Sequence, residues 1–486
     1  MSQQGRAQPR RVVAIVLAAG LGTRMRSRIP KVLHPLCGRP MLAYVLDAAR
    51  AATGERPLVV TSPQTATIRD AVQDEVDWAL QDVPRGTGDA LRAALDVLPD
   101  DVGEVLVLSG DVPRLRPELL SELLDQRRLD QAAFALTAVA AFDPTGLGRV
   151  VRNEAGGVER IVEERDATDE ERENPEINAG LYAFDLDWLR GRIRTLRPSP
   201  ATGELYLTQL VGMARADGRL VASLDVEDDG RLLGINDRAQ LAQAEWDLRT
   251  ELNESWMRRG VSMRDPSTVY LDSTVELAED VTLEPNVILR GRTRVGEGST
   301  VAAGSTIVDS VIGRDCHVWA SVIEGSELED EVRVGPFAHL RPGSSIGRGA
   351  EVGNYAELKA TRLGPGVKQH HVSYLGDAEL GAGTNVGAGT ITANFDGQVK
   401  HRTTIGKNAF LGVNTMLIAP LDLGDGAKTG AGAVVTRDVP AGMLAVGVPA
   451  RLRIPRDQRP ADAADRPATA GDPAAREAPT AGEVLP

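Results

Sequence analysis

The sequence predicts two folds in series: an α/β domain on a mostly parallel sheet, then a β-helix built from hexapeptides. Two observations carry this. Between Val12 and Leu224, continuous apolar runs alternate with segments of helical pattern, as in α/β proteins. From about Val269 to Val448, an aliphatic residue returns at every sixth place. One stretch reads Val334, Leu340, Ile346, Val352, Leu358; Val295, Val301 and Ile307 before it, and Ile405, Leu411, Leu417 and Leu423 after it, keep the same spacing of six. A period of six suits neither a helix nor a simple alternating strand. It suits short parallel strands wound into a coil, one aliphatic per hexad pointing inward. Glycines such as Gly335, Gly347 and Gly353 follow many of these aliphatics, where the backbone must turn without a Cβ.

The elements follow in order. Residues 1–10 read as a disordered leader. Val12 to Leu17 is a buried central strand that ends in Gly20-Leu21-Gly22. A helix begins near Met41, and Leu58 to Thr61 is a strand. Thr87 to Leu98 is a helix, Val105 to Ser109 a strand, Pro117 to Arg128 a helix opened by proline, and Phe134 to Ala140 a strand. Val150 to Glu163, turning at Ala155-Gly156-Gly157, is a hairpin. Asn178 to Phe184 and Leu220 to Leu224 are further strands. Residues 237–258 lack Gly and Pro and form a connecting helix. The expected divisions are a domain over 11–238, a helical linker over 239–260 and the coil over 261–454. Residues 455–486, proline-rich with almost no large apolar side chains, read as a disordered tail.

Composition narrows the function. The net charge of −14 argues against a nucleic-acid surface, which would need clustered Lys and Arg. No run reaches the roughly 20 apolar residues that span a bilayer. The Arg6, Arg10 and Arg11 cluster before Val12 could mimic a secretory signal, but the apolar run is short and leads into a glycine loop, so a buried first strand is expected instead. Cys37 and Cys316, far apart, suggest no disulfide, and a cytoplasmic location is expected.

The first glycine turn is followed by Thr23, Arg24, Met25, Pro30, Lys31 and Leu33. Bare backbone amides in such a turn approach phosphate oxygens, and two cations beside them in an acidic chain suit an anion. Neither the P-loop nor the dinucleotide pattern is present. Asp111 lies just past Ser109, at the carboxyl end of a strand, where open α/β sheets bind ligands. In the coil, the rhythm breaks between Leu358 and Leu380, which reads as an inserted loop carrying Lys359, Arg362, His370, His371, Tyr374 and Asp377. An amine attacks a thioester only as the free base, and an imidazole is a suitable acceptor of its proton. The His370–His371 pair lacks the nearby third ligand a zinc site needs.

The set L-A-A-G-x-G-T-R-M…P-K resembles the signature of sugar-phosphate nucleotidyltransferases. The coil resembles the left-handed β-helix of hexapeptide acyltransferases, and His371 in H-x-x-Y-L-G-D resembles the base of glucosamine-1-phosphate acetyltransferases. From Val12 to Val448 the whole is similar to the bacterial bifunctional enzymes that make UDP-N-acetylglucosamine for peptidoglycan and lipopolysaccharide. The resemblance implies a Rossmann-like uridyltransferase domain and a left-handed β-helix acetyltransferase domain. It implies acetylation of glucosamine-1-phosphate from acetyl-CoA, then transfer of UMP from UTP, with Mg²⁺ and a homotrimer.

Residue by residue, the resemblance implies a UDP-sugar site at Leu17, Ala18, Ala19, Gly20, Lys31, Gln81, Gly86, Thr87, Ser109, Gly110, Asp111, Gly148, Glu163, Asn178 and Asn236. Arg24 and Lys31 would meet phosphates, and Asp111 with Asn236 would hold the metal. His371 would be the acetyl-transfer base; Arg341, Lys359, Tyr374 and Asn385 would hold glucosamine-1-phosphate; Ala388, Asn394, Phe395, Val413, Ala431 and Val448 would line the acetyl-CoA slot. The chain departs from the family pattern at Ser109 and Phe395, where tyrosine is usual, and at Val413, where serine is common. It also lacks the late arginine before Val448-Pro449; Arg451 and Arg453 stand just beyond.

Two rivals stay open, and with them a different sugar or base at the nucleotide site. A single-function nucleotidyltransferase with a merely oligomerising coil would not carry the His371…Tyr374 motif. A non-catalytic nucleotide-exchange subunit would not keep Arg24, Lys31, Asp111 and Asn236.

Overall fold

The computed structural model describes residues 11–72, 76–199 and 202–455. The chain divides into two compact units between Leu252 and Asn253, inside the helix Arg238–Arg258. The leader, and all of the expected tail but Pro455, fall outside the described residues.

The first unit is an α/β sheet. Its main path runs Val221–Val226, Phe134–Ala140, Glu176–Asp185, Val102–Ser109, Arg11–Leu17, Leu58–Thr61, Asp77–Leu80. Arg11–Leu17 runs parallel to both neighbours, with Leu17 level with Ser109 and with Val60. The strands therefore end together, and the loops after them share one rim. The continuous apolar run has a direct cause: Val13 and Ile15 enter one core cluster, Ala14 and Val16 another, one on each face.

The sheet is mixed rather than uniformly parallel, because Glu176–Asp185 runs antiparallel to both its neighbours. The expected hairpin, Arg149–Arg152 with Val158–Val162, joins it through Arg149 opposite Ile177. The helix Thr87–Leu95 stops short of Leu98. Pro99 disfavours helical backbone at the residue before it, so the chain leaves the helix early. The strand Asp77–Leu80 and the helices Leu186–Arg192 and Leu210–Ala216 were not expected.

The second unit is a left-handed parallel β-helix. Three ladders of 12, 10 and 9 strands form its faces, parallel throughout except for the last strand of the first. Successive hexads fall on successive faces, so the same face recurs one coil later: Val334 sits against Val352, Leu340 against Leu358 and Ile346 against Leu363. All six are essentially buried and belong to one core cluster, as the six-residue period requires. The coil starts at Ser262–Met263, earlier than Val269. It closes when Arg451–Arg453 folds back antiparallel on Leu444–Val446, covering the last edge.

The expected insertion between Leu358 and Leu380 is not there. Arg362–Leu363, Lys368–Gln369 and Ser373–Gly376 continue the three ladders without interruption. The apolar rhythm only looked broken because Gln369 takes an inward place between Val352 and Val386. The true insertion comes one coil later. Glu357 pairs with Tyr374, 17 positions on, whereas Glu379 pairs with Thr404, 25 positions on. The extra chain is residues 394–402, closed by a bridge between Phe395 and Lys400.

Candidate active sites

In the first unit, a cavity of about 440 Å³ opens at the rim. Leu17, Ala18, Ala19, Gly20, Lys31, Gln81, Gly86, Thr87, Ser109 and Asp111 all line it, as the sequence led us to expect. Gly22 makes the first turn possible. It has a positive φ of 59°, and a Cβ there would collide with the Lys31 side chain. Gly110 hydrogen-bonds the Leu17 carbonyl (3.0 Å), which seats Asp111 beside the first strand.

Asp111 and Asn236 converge on one cation. The Lys31 ammonium donates to Asp111 Oδ2, and to Asn236 Oδ1 at 3.1 Å. Arg24 donates to the same amide oxygen at 2.8 Å. One carboxylate and one amide oxygen aimed at a single positive centre form a hard, oxygen-only donor pair. It fits an ion such as Mg²⁺, which keeps waters and completes its shell with substrate phosphates.

Three further residues gather deeper in the unit. Asn178 N donates to the Gly148 carbonyl (2.9 Å), and Gly148 lies against the Glu163 carboxylate. Thr208 donates to Glu163 Oε1 (2.9 Å), while burial pushes the Glu163 carboxyl above the usual range. The turn Leu207–Gln209 that carries Thr208 also donates from Leu207 N to Thr87 Oγ1 (3.1 Å), tying this group to the cavity wall.

In the second unit, Arg341, Lys359 and Tyr374 lie on or beside the 10-stranded face. Arg341 pairs with Glu357 at 3.0 Å and Lys359 with Asp377 at 3.6 Å. Asn394 Nδ2 donates to Asp377 at 2.5 Å. The structure adds a residue that the sequence reading missed. Lys400, from the inserted loop, meets Lys359, whose ammonium holds it below the usual lysine range. Arg341 depresses Lys400 as well. Glu357 beside Arg341 and Asp377 beside Lys359 partly balance these cations. The wide gap between Val386 and Ile405 in the aliphatic series was the available signal.

His371 sits exposed on a corner turn. That turn belongs to a file of stacked corner turns, which continues from it: Gly389 N donates to Val372 O (2.7 Å), Asn414 N to Ala388 O (2.6 Å) and Gly432 N to Val413 O (2.8 Å). Ala388, Val413 and Ala431 therefore follow His371 along one column. Val448 lies in the closing turn of the last hairpin, 73% exposed. Phe395 is exposed in the inserted loop. Asn385 is the residue not brought in. It belongs to the 12-stranded face, whereas Tyr374 belongs to the 10-stranded one. The file depends on Gly353, because a Cβ there would overlap the His370 carbonyl in the next coil.

Comparison with known proteins agrees with both halves. Residues 14–167 match the MobA-like NTP transferase domain and residues 402–437 the hexapeptide repeat of succinyl-transferase. Proteins named Bifunctional protein GlmU are similar along nearly their whole length. The one from Pelobacter propionicus is 44% identical over 438 residues, covering 90% of this chain and 95% of that protein. The one from Rubrobacter xylanophilus is 44% identical, covering 93% and 96%, and the one from Alkalilimnicola ehrlichii 44%, covering 93% and 97%. Likeness at this level across both units assigns the chain to the GlmU family of bifunctional enzymes, a uridyltransferase and an acetyltransferase on one polypeptide.

Proposed function

We propose that the second unit acetylates glucosamine-1-phosphate at the Arg341–Lys359–Lys400 cluster, and that the first unit uridylates the product in the cavity beside Lys31. The observation that carries this reading is the convergence, within each unit, of the cations a substrate phosphate requires.

In acetyl transfer, Arg341, Lys359 and Lys400 hold the sugar phosphate, and Tyr374 orients the sugar. The substrate nitrogen attacks the thioester carbonyl, the C–S bond breaks, and His371 accepts the proton that the nitrogen loses. Acetyl-CoA lies along the column of Ala388, Val413 and Ala431, whose short or unreactive side chains leave room, with Asn394 and Phe395 beside the acetyl group. Asn385 lies on another face, which favours a site completed between copies; a homotrimer through the β-helix is the arrangement we propose.

In uridyl transfer, an oxygen of N-acetylglucosamine-1-phosphate attacks the α-phosphorus of UTP and pyrophosphate leaves. Gln81, Gly86 and Thr87 hold the base; Gly148, Glu163 and Asn178 hold the sugar. Arg24 and Lys31 offset the charge of the two phosphates as they approach. Asp111 and Asn236 would hold Mg²⁺, which would supply neutralisation of phosphate charge. No described helix is long and apolar enough to cross a membrane, and both cysteines are free; we place the enzyme in the cytoplasm.

Lys400 gives the most selective test. In Lys400→Ala, initial rates of CoA release should show KM for glucosamine-1-phosphate raised about tenfold, the scale of one lost charge-assisted contact. Both kcat and uridyl transfer should hold. An unchanged KM would remove Lys400 from the phosphate site.

A further inference from the structure

Gln369 stands where the fold asks for an aliphatic side chain. Along its face the inward residues run Val318, Val334, Val352, then Gln369, then Val386 and Leu411. The side chain is fully buried. Its Nε2 donates to Ser373 Oγ at 2.8 Å, and Ser373 Oγ donates to the His371 carbonyl at 2.8 Å. Its Oε1 is buried without a partner. A half-satisfied amide in an apolar interior is destabilising, so its presence asks for a reason.

Three other corners give the comparison. Ser310, Ser321 and Thr361 also donate to the carbonyl two residues back, those of Val308, Trp319 and Lys359. Each of those hydroxyls accepts a backbone N–H from the next coil, from Ser326, Ala338 and Ala378. At Ser373 the equivalent amide, Thr390 N, turns to Gly387 O instead. The Gln369 side chain supplies the missing donor from inside the prism.

We propose that Gln369 is a positioning residue for acetyl transfer: through Ser373 it fixes the peptide of His371 and so the direction of the imidazole. The proposal rests on the reading of His371 as the base. Neighbouring links serve the same turn, since His370 is tied to Glu351 (2.8 Å) and Val372 O accepts from Gly389. A base on an exposed turn needs such ties, because small misplacements of a reacting group are costly in rate.

The test is Gln369→Met, which keeps the volume and removes the polar atoms. A space-filling role predicts equal or greater thermal stability and full activity. The proposal predicts that stability with kcat for acetyl transfer lowered about tenfold or more. Both KM values and uridyl transfer should hold. The kcat–pH profile should keep its inflection while the plateau falls, because direction and not charge has changed. Ser373→Ala should lose as much, Ser373→Thr should retain activity, and the double variant Gln369→Met/Ser373→Ala should lose no more than either single one. Wild-type kcat in Gln369→Met, or additive losses in the double variant, would overturn the proposal. Should Gln369→Met fail to fold, Ser373→Ala against Ser373→Thr decides: equal activity of the two overturns it. Full acetyl transfer in His371→Ala would instead overturn the reading of the base.

Discussion

His371→Ala is expected to lower acetyl transfer by about 10²–10⁴-fold, the range that one general base contributes, and to leave uridyl transfer at the wild-type rate. The expectation follows from the position of the turn. His371 is exposed in the column that Ala388, Val413 and Ala431 continue, and its backbone is pinned from within by Ser373. Removing the imidazole leaves that column and the Arg341–Lys359–Lys400 cluster in place. The loss should therefore fall on kcat, read as CoA release at saturating substrates, with KM for glucosamine-1-phosphate near its original value. His370→Ala is the comparison: it removes one tie on the turn but not the base, so it should lose far less activity than His371→Ala. A His371→Ala enzyme with wild-type kcat would refute the assignment.

Asp111→Ala is expected to lower uridyl transfer by about 10³-fold or more, read as pyrophosphate release, while acetyl transfer persists. One carboxylate serves two purposes here. It is the only anionic member of the Asp111–Asn236 donor pair, and it holds Lys31 in the cavity. Its loss removes an anchor for the metal and frees the lysine from its seat at once. Binding of Mn²⁺ in the presence of UTP, followed by the paramagnetic signal of the free ion, should weaken in the same variant. The Lys31 ammonium lies between the two donors, so a metal held by them would compete with it. Metal alone should bind more weakly than metal with UTP, whose phosphates give Lys31 another partner. Undiminished pyrophosphate release by Asp111→Ala would exclude the carboxylate from the reaction.

Much of this was legible in the residues, and the failures have physical causes. The hexad period announced the prism because inward positions of a coil admit few side chains, and Val334, Leu340 and Ile346 fall where they must. The same rule misled at Gln369, where an inward polar side chain hid a strand and suggested a loop. The real insertion, residues 394–402, is polar and irregular, so nothing local marked Lys400 as a partner of Lys359; stacking of coils brings them together. Asn385 shows the converse. Sequence likeness grouped it with Tyr374; within one chain the two stand on different faces, a separation no local pattern records. In the first unit, the glycine turn and Asp111 follow apolar strands and could be read from the pattern, whereas Gln81, Gly86 and Thr87 came only from likeness to the family. The strand Asp77–Leu80 could not be read, since only Ala79 of its four residues is buried. The reversed direction of Glu176–Asp185 depends on long-range pairing that no local pattern records.

The central claim is that one chain performs two transfers in a fixed order, each in its own unit. The most direct test is formation of UDP-N-acetylglucosamine from glucosamine-1-phosphate, acetyl-CoA, UTP and Mg²⁺, with each reagent omitted in turn and pyrophosphate and CoA followed separately. The account predicts CoA release without UTP, no pyrophosphate without acetyl-CoA, and pyrophosphate restored when N-acetylglucosamine-1-phosphate replaces the first two reagents. Pyrophosphate formed from glucosamine-1-phosphate and UTP alone, or no CoA release under any combination, would contradict it.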